Sequence, residues 1–243
     1  MNKLHHDVHF HLDLYKNTSE IIEEIKERRT YTIAVTNLPV LFEKLNKKVN
    51  SKYIRVGLGF HPELVTEFKE YIPRMWEYLE NARYIGEVGL DLKNKSKLDS
   101  DNQINFFKEL IHRCNSLGGK ILSLHSRGSE KELLSIIGSN FNGSPILHWY
   151  SGTLNHIDRA TEAGFYFSIN FAMLQSDKGK KIIERIPDDR ILIESDGPFV
   201  KVNKKIHQPR DLELTVKDLA KLKNMDLLKM DEILAQNFKR ILM

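Results

Sequence analysis

Apolar positions along this chain change period again and again. Short β-branched or apolar runs stand at Leu4–Phe10, Tyr31–Thr36, Tyr53–Leu58, Arg83–Val88, Lys120–Leu124, Ser144–Leu147, Tyr166–Ile169 and Arg190–Ile193. After each, apolar residues recur three or four positions apart. The two periods predict strands and helices in turn. Helices are predicted over Ser19–Arg29, Val40–Val49, Leu64–Glu80, Asp101–Leu117, Ser129–Ile137, Leu154–Ala163, Asp177–Arg185 and Leu212–Lys221, with Met230–Leu242 closing the chain. Strict alternation predicts parallel strands joined by right-handed crossovers. Eight such units within 243 residues predict a (β/α)8 TIM barrel of the α/β class, a fold of roughly 250 residues. An open doubly wound sheet is the alternative, but no Gly-rich phosphate loop follows the first strand.

Local signals agree with this division. Thr18-Ser19 before Glu20 is a predicted N-cap, and Gly118-Gly119 and Gly164 follow predicted helix ends. No Pro/Gly/Ser-rich linker or longer repeat divides the chain, so residues 1–243 read as one domain. Lys201–Arg210 is the longest stretch without periodicity. With Lys201, Lys204, Lys205, His207 and Arg210 it reads either as a solvated loop or as a basic rim beside the site.

Composition narrows the class. Hydrophobic residues make up 41% and charged residues 29%, values of a folded globular chain. No apolar run approaches the roughly 20 residues of a membrane span. The first eleven residues lack the apolar core and cleavage site of a signal peptide. Cys114 is the single cysteine, so no intramolecular disulfide forms, and it falls in a helix expected to pack on the barrel. A cytoplasmic location follows as the expectation. The net charge of +4 is too small to declare a nucleic-acid binder, but it would not repel a phosphate-bearing substrate. The ten histidines change the picture most.

In a barrel the chemistry stands at the C-terminal strand ends. Here those ends read Asp7-Val8-His9-Phe10-His11, Gly59-Phe60-His61-Pro62, Gly86-Glu87-Val88-Gly89-Leu90-Asp91, His125-Ser126-Arg127, His148-Trp149-Tyr150 and Glu194-Ser195-Asp196-Gly197-Pro198. His9 and His11 alternate along a strand and therefore face the same way. His5 and His6 read as incidental. Four imidazoles and two carboxylates (His9, His11, His125, His148, Glu87 and Asp196) exceed what one tetrahedral ion needs. They fit two divalent ions roughly 3.5–4 Å apart, with one carboxylate between them. Imidazole-rich donors suit Zn, Mn, Fe or Ni better than Mg, and the sequence does not choose among the five.

The four motifs Asp7–Asp13, Gly86–Asp91, His125–Arg127 and Glu194–Phe199 resemble the signatures of the TatD-type metal-dependent deoxyribonucleases, barrels of the amidohydrolase superfamily. The resemblance runs in order through nearly the whole chain. It implies that His9, His11 and Asp196 hold one metal, that His125 and His148 hold the other, and that Glu87 bridges both. Asp196 would also act as general base and His61 would face the substrate phosphate. The runs Gly118–Ser123, His148–Gly152 and Ala172–Leu174 resemble one subgroup more closely, the QatD member of the bacterial Qat anti-phage cassette. That resemblance implies work beside an ATPase, a QueC-like enzyme and a small partner protein. One departure concerns the loop after strand eight. Family members often carry an Arg-Asn-x-Pro-type sequence there, and Gln208-Pro209 within Val200–Arg210 is the nearest counterpart.

Around the ligands, Arg127 reads either as a phosphate grip or as a salt bridge at the mouth. Trp149 and Tyr150 read either as stacking platforms for a nucleobase or as loop packing. Asp13 and Asp91 are candidates to orient ligand histidines, with a plain N-cap as the second reading of Asp13. The expected activity is phosphodiester hydrolysis in DNA, on single strands or strand ends, by an exonuclease-like enzyme. Two alternatives stand beside it. One is an amidohydrolase or deacylase acting on a small or tRNA-borne ester or amide. The other is a partner-dependent module of a defence complex with little activity alone.

Overall fold

The computed structural model describes residues 5–202 and 204–243. Leu4, where the first strand was expected to begin, lies outside them. The chain runs β1 (His6–Phe10), α1 (Thr18–Arg28), β2 (Tyr31–Ala34), α2 (Pro39–Lys48), β3 (Ile54–Val56), α3 (Ile72–Leu79), β4 (Tyr84–Gly89), α4 (Lys97–Leu117), β5 (Lys120–His125), α5 (Glu130–Ile137), β6 (Gly143–His148), α6 (Leu154–Glu162), β7 (Tyr166–Ile169), α7 (Phe171–Leu174), α8 (Asp177–Arg185), β8 (Ile191–Ile193), a hairpin of β9 (Lys201–Val202) and β10 (Lys205–Ile206), α9 (Leu212–Leu222) and α10 (Leu227–Leu242). Among the described residues no helix is long and apolar enough to cross a membrane.

Strands β1 to β8 are parallel and form two arcs, β1-β2-β3 and β4-β5-β6-β7-β8. Backbone hydrogen bonds join the arcs at both seams. Leu58 N donates to Tyr84 O and Gly86 N to Leu58 O, each at 2.9 Å, while Asp196 N donates to His9 O at 3.0 Å and His11 N to Gly197 O at 3.1 Å. The result is the expected (β/α)8 barrel. Val8, Ile33, Ile121, Ile146 and Leu192 pack inside it, and Phe238 and Ile241 of α10 join the same cluster. Asn237 of α10 donates to Asp188 O (2.7 Å) and Ile191 O (2.8 Å), tying that helix to the start of β8.

The element predictions fail where proline and short polar caps intervene. The single helix expected over Leu64–Glu80 is two 3₁₀ turns, Pro62–Leu64 and Lys69–Tyr71, followed by α3. Pro73 stands in the first turn of α3, where its missing N–H costs nothing, and it is unfavourable inside a longer helix. The N-cap of α1 is Asn17 rather than Thr18-Ser19, and Thr18 Oγ1 instead donates to Tyr15 O at 2.7 Å. Helix α4 starts four residues earlier than expected, because Ser96 Oγ accepts the Asp99 N–H at 3.1 Å. Gly118 and Gly164 do end helices, with positive φ of 68° and 83°. Cys114 is buried in the core, where burial pushes its thiol up to about 12.

His6 gives a prediction about pH. Its ring stacks on Phe238 at 3.9 Å, and burial, helped by His5, pushes its pKa down to about 4. Its Nδ1 is buried without a hydrogen-bond partner, so His6→Phe loses no bond there. Above pH 6.5 the ring is neutral in both folded and unfolded chains. Between pH 6.5 and about 4 the unfolded chain takes up the proton first, and native stability falls. Relative to His6→Phe, the native chain is expected to lose up to about 3 kcal/mol across that window. Urea unfolding at pH 7, 5.5 and 4.5 checks it, and a gap independent of pH would refute it.

Candidate metal centre at the barrel mouth

Two irregularities aim the key side chains. The register of β1 on β2 shifts between Asp7 and Phe10, and that of β4 on β5 shifts between Ile85 and Val88. Such bulges redirect side chains. Val8 packs in the barrel interior, whereas the His9 and His11 rings meet at the mouth with their Nε2 atoms 3.0 Å apart. Glu87 lies inside the second irregularity. Gly89, at φ 138°, lets the chain pass His125: a Cβ there would stand 2.1 Å from His125 O.

Glu87 is the centre of the cluster. Its Oε1 lies 2.8 Å from His125 Nδ1, 3.0 Å from His148 Nε2 and 3.4 Å from His61 Nε2. Its Oε2 lies 3.4 Å from His11 Nε2 and 3.7 Å from His9 Nε2. Oε1 thus faces three histidines and Oε2 two others. Asp196 completes the His9–His11 half, with Oδ1 at 3.7 Å and 3.6 Å from their Nε2 atoms. The structure brings all six predicted ligands together, five of them buried and His125 partly so.

Burial and crowded charges move several groups of the cluster away from their ordinary protonation. Burial pushes Asp196 well above the usual carboxylate range, and Glu194, Glu87 and Asp7 add to this against the pull of His148. Burial also pushes His9 far down, with the charges of His148, His11 and His125 adding to it. Glu87 stays well below its ordinary value, because His61, His148, His11 and His125 outweigh its burial. Asp196 Oδ1 and His11 Nδ1 are buried with no hydrogen-bond partner. Groups of His9, His11 and Asp196, of His61, Glu87 and His125, and of His9, His148 and Glu194 each bring their donor atoms within 4.8 Å of one another. Imidazole and carboxylate donors of this kind fit divalent transition metals. The cluster floors a cleft of about 830 Å³ lined by His11, His61, Glu87, His125, His148 and Asp196, with Trp149, Phe199 and Arg127 at its rim.

A family model, TatD related DNase, matches residues 6–243. The chain belongs to the TatD family. An uncharacterised metal-dependent hydrolase of Methanocaldococcus jannaschii is 27% identical over 96% of this chain and 96% of its own length. Human deoxyribonuclease TATDN3 is 22% identical over 95% of this chain and 92% of its own length. The solved structure of the TatD homologue YjjV of Escherichia coli superposes with a TM-score of 0.80 at 19% identity, covering 99% of this chain and 98% of that one, which shows the shared fold.

In this TatD protein three of the four clustered ligand histidines, His125, His9 and His148, have a polar neighbour on the far side of the ring. His125 Nε2 faces Asp91 Oδ2 at 3.0 Å, on the side of the ring away from Glu87. His9 Nδ1 meets Ser123 Oγ at 2.7 Å. His148 Nδ1 lies 3.7 Å from Glu194 Oε1. Asp7 accepts the N–H groups of His9 (3.2 Å) and Ser195 (3.0 Å), which ties β1 to the end of β8, and burial raises its pKa to about 7. Sequence reasoning missed Asp7, Ser123 and Glu194 as site residues. A period of two was the available signal, since each stands two positions before a chosen ligand.

The remaining predicted residues divide. His61 Nδ1 accepts the Glu63 N–H at 3.3 Å, which leaves the ring proton on Nε2, facing Glu87 and the cleft. Arg127 lines the cleft, 57% exposed, with Nη1 3.9 Å from Asp91 Oδ2. Tyr150 is a correction. It is 1% exposed, packs edge-on to Phe167 and donates to Thr153 O at 2.7 Å, so the loop-packing reading holds and it does not line this cleft. Asp13 caps no helix. It sits in the 3₁₀ turn Leu12–Leu14 with both carboxylate oxygens buried and unpartnered, and burial raises its pKa against the pull of His11. In the Lys201–Arg210 segment, read as a solvated loop or a basic rim, Lys201, Lys204 and Lys205 are exposed on the β9–β10 hairpin. His207 instead is buried, with Nδ1 3.3 Å from Ser195 O, and Arg210 pairs with Glu24 at 2.9 Å. Gln208 caps the turn Pro209–Asp211.

Glu194 supplies a second prediction. It accepts from Trp149 N (3.1 Å) and Asn170 Nδ2 (3.0 Å), and Ser168 Oγ also donates to it. Glu194→Gln keeps the shape and removes the charge beside His148. Metal affinity is expected to fall about 10–100-fold with secondary structure unchanged, as for other residues that back a ligand. Competition with a chromogenic chelator reads this, and unchanged affinity would show that Glu194 does not support His148.

Proposed function

We propose that this TatD-family enzyme is a metal-dependent hydrolase that cleaves phosphodiester bonds of DNA, acting on single strands or strand ends, with residues 1–243 working as one catalytic domain. The observation that carries the reading is Glu87, whose two oxygens face two separate sets of imidazoles in an open cleft. His9, His11 and Asp196 would hold one divalent ion, His125 and His148 the other, with Glu87 shared. When bound, the ions supply Lewis acidity and lower the pKa of water. The chain's own residues do the rest. Asp196, whose Oδ1 stands 3.7 and 3.6 Å from the His9 and His11 Nε2 atoms at the cleft floor, accepts a proton from the attacking water. The Nε2–H of His61 and the Arg127 guanidinium hold the non-bridging phosphate oxygens as charge develops on them.

The subgroup motifs support a finer reading. The enzyme would act in the cytoplasm in bacterial anti-phage defence, beside an ATPase, a QueC-like enzyme and a small partner protein of a Qat-type system.

The test is cleavage of 3′- and 5′-labelled single-stranded DNA, with and without chelator, alongside metal analysis of the purified protein. About two ions per chain with chelator-sensitive cleavage support the reading, and the label that is lost gives the direction. Two ions without cleavage move the assignment to ester or amide substrates or to a partner-dependent activity.

A further inference from the structure

Two large aromatic side chains stand in the open at the rim of the centre. Trp149 is 36% exposed and Phe199 is 57% exposed, and both line the cleft. Exposed apolar surface rimmed by polar groups and lining one cleft marks a candidate ligand groove. Each ring is tied directly to the centre. Trp149 follows His148, and its N–H donates to Glu194, the same carboxylate that faces His148. Its φ of 38° is a left-handed conformation rarely adopted by a bulky residue, so its surroundings hold it there. Phe199 is placed by the turn after Asp196, through its N–H to Asp196 O at 2.9 Å, and its ring meets the His11 ring edge-on at 5.1 Å. The aromatic pair at the mouth is therefore Trp149 with Phe199, and Tyr150 has no part in it.

We propose that Trp149 and Phe199 form a clamp that grips one unstacked nucleobase beside the scissile phosphate. The proposal rests on the DNA reading above and specifies its substrate. A ring face stacks on any base, so the clamp is indifferent to sequence. A base inside a duplex is already stacked on its neighbours, so the clamp selects single strands and frayed ends. Arg127 on the same rim offers the cation for an adjoining phosphate.

Two measurements test it. The first compares hydrolysis of pentathymidylate with that of a strand of equal length carrying abasic tetrahydrofuran residues. Phe199→Ala is expected to raise KM for pentathymidylate roughly tenfold with kcat little changed, in line with the worth of one stacked base. Phe199→Tyr is expected to restore KM. On the abasic strand wild type and Phe199→Ala are expected to match. Equal losses on both strands, or no loss on either, overturn the clamp while leaving the nuclease reading intact. The second reads Trp149 fluorescence in a Trp76→Phe protein. Trp76 is the other tryptophan and stacks on Phe106, away from the cleft. Quenching by pentathymidylate but not by the abasic strand supports the clamp even if no strand is cleaved, an outcome that would remove the nuclease reading alone. Absence of quenching by either strand overturns the clamp.

Discussion

Glu87→Gln is expected to lower kcat/KM at least 10³-fold, on the order of 4 kcal/mol of lost transition-state stabilisation, with the circular-dichroism spectrum unchanged. The substitution changes one oxygen to an amide and removes one charge. It does so at the side chain whose two oxygens face both halves of the cluster: His125 and His148 lie 2.8 and 3.0 Å from Oε1, and His11 lies 3.4 Å from Oε2. An amide presents one acceptor and two N–H donors, so one half must face a donor where it had an anion. Four imidazoles then crowd together without the carboxylate that holds them. Cleavage of labelled single-stranded DNA at saturating divalent ion, with metal content measured on the same sample, is the check. A Glu87→Gln protein with two ions and near-native turnover would show that the carboxylate does not organise the centre.

The sequence carries the fold well wherever periodicity and glycine punctuation act alone. Helix α8 falls on its expected bounds, Asp177–Arg185, and β7 on Tyr166–Ile169. It carries the fold poorly where the deciding contact is a single hydrogen bond, as at Ser96, or where apolar spacing continues through a proline, as at Pro73. The hairpin β9–β10 has two-residue strands, too short for any period to show. The clustered site was legible because barrel topology turns scattered motifs into neighbours, so that a histidine near residue 9 and an aspartate near residue 196 need no common sequence context. The supporting residues were less legible. Ser123 and Asp7 are ordinary residues in sequence, and their roles exist only through the far sides of His9 and the β1–β8 seam. Tyr150 shows the converse. An aromatic two positions after a ligand reads as a substrate platform, but the turn that follows β6 places it in the core, while the less obvious Phe199 is left in the open.

Removal of the ions is expected to lower the unfolding temperature by roughly 10–20 °C. The free centre keeps carboxylates of Glu87, Asp196, Glu194 and Asp7 close together in a buried setting, and burial drives Asp196 well up and His9 well down from their ordinary values. The unfolded chain relieves all of these costs, because water solvates each group separately. Ions that bind the folded cluster and not the unfolded chain shift the balance the other way, by about 2.7 kcal/mol per site at 100 times Kd. For a chain of this size each kcal/mol moves the midpoint by about 2–4 °C. Scanning calorimetry with chelator, and after repletion with Zn or Mn, checks the shift. His9→Ala removes a donor from one half only, so its ion-dependent shift is expected to fall to about half the native value, whereas Glu87→Gln touches both halves and is expected to lose most of it. If the native midpoint is indifferent to chelator and to repletion, the six side chains are a buried polar cluster and not a metal centre.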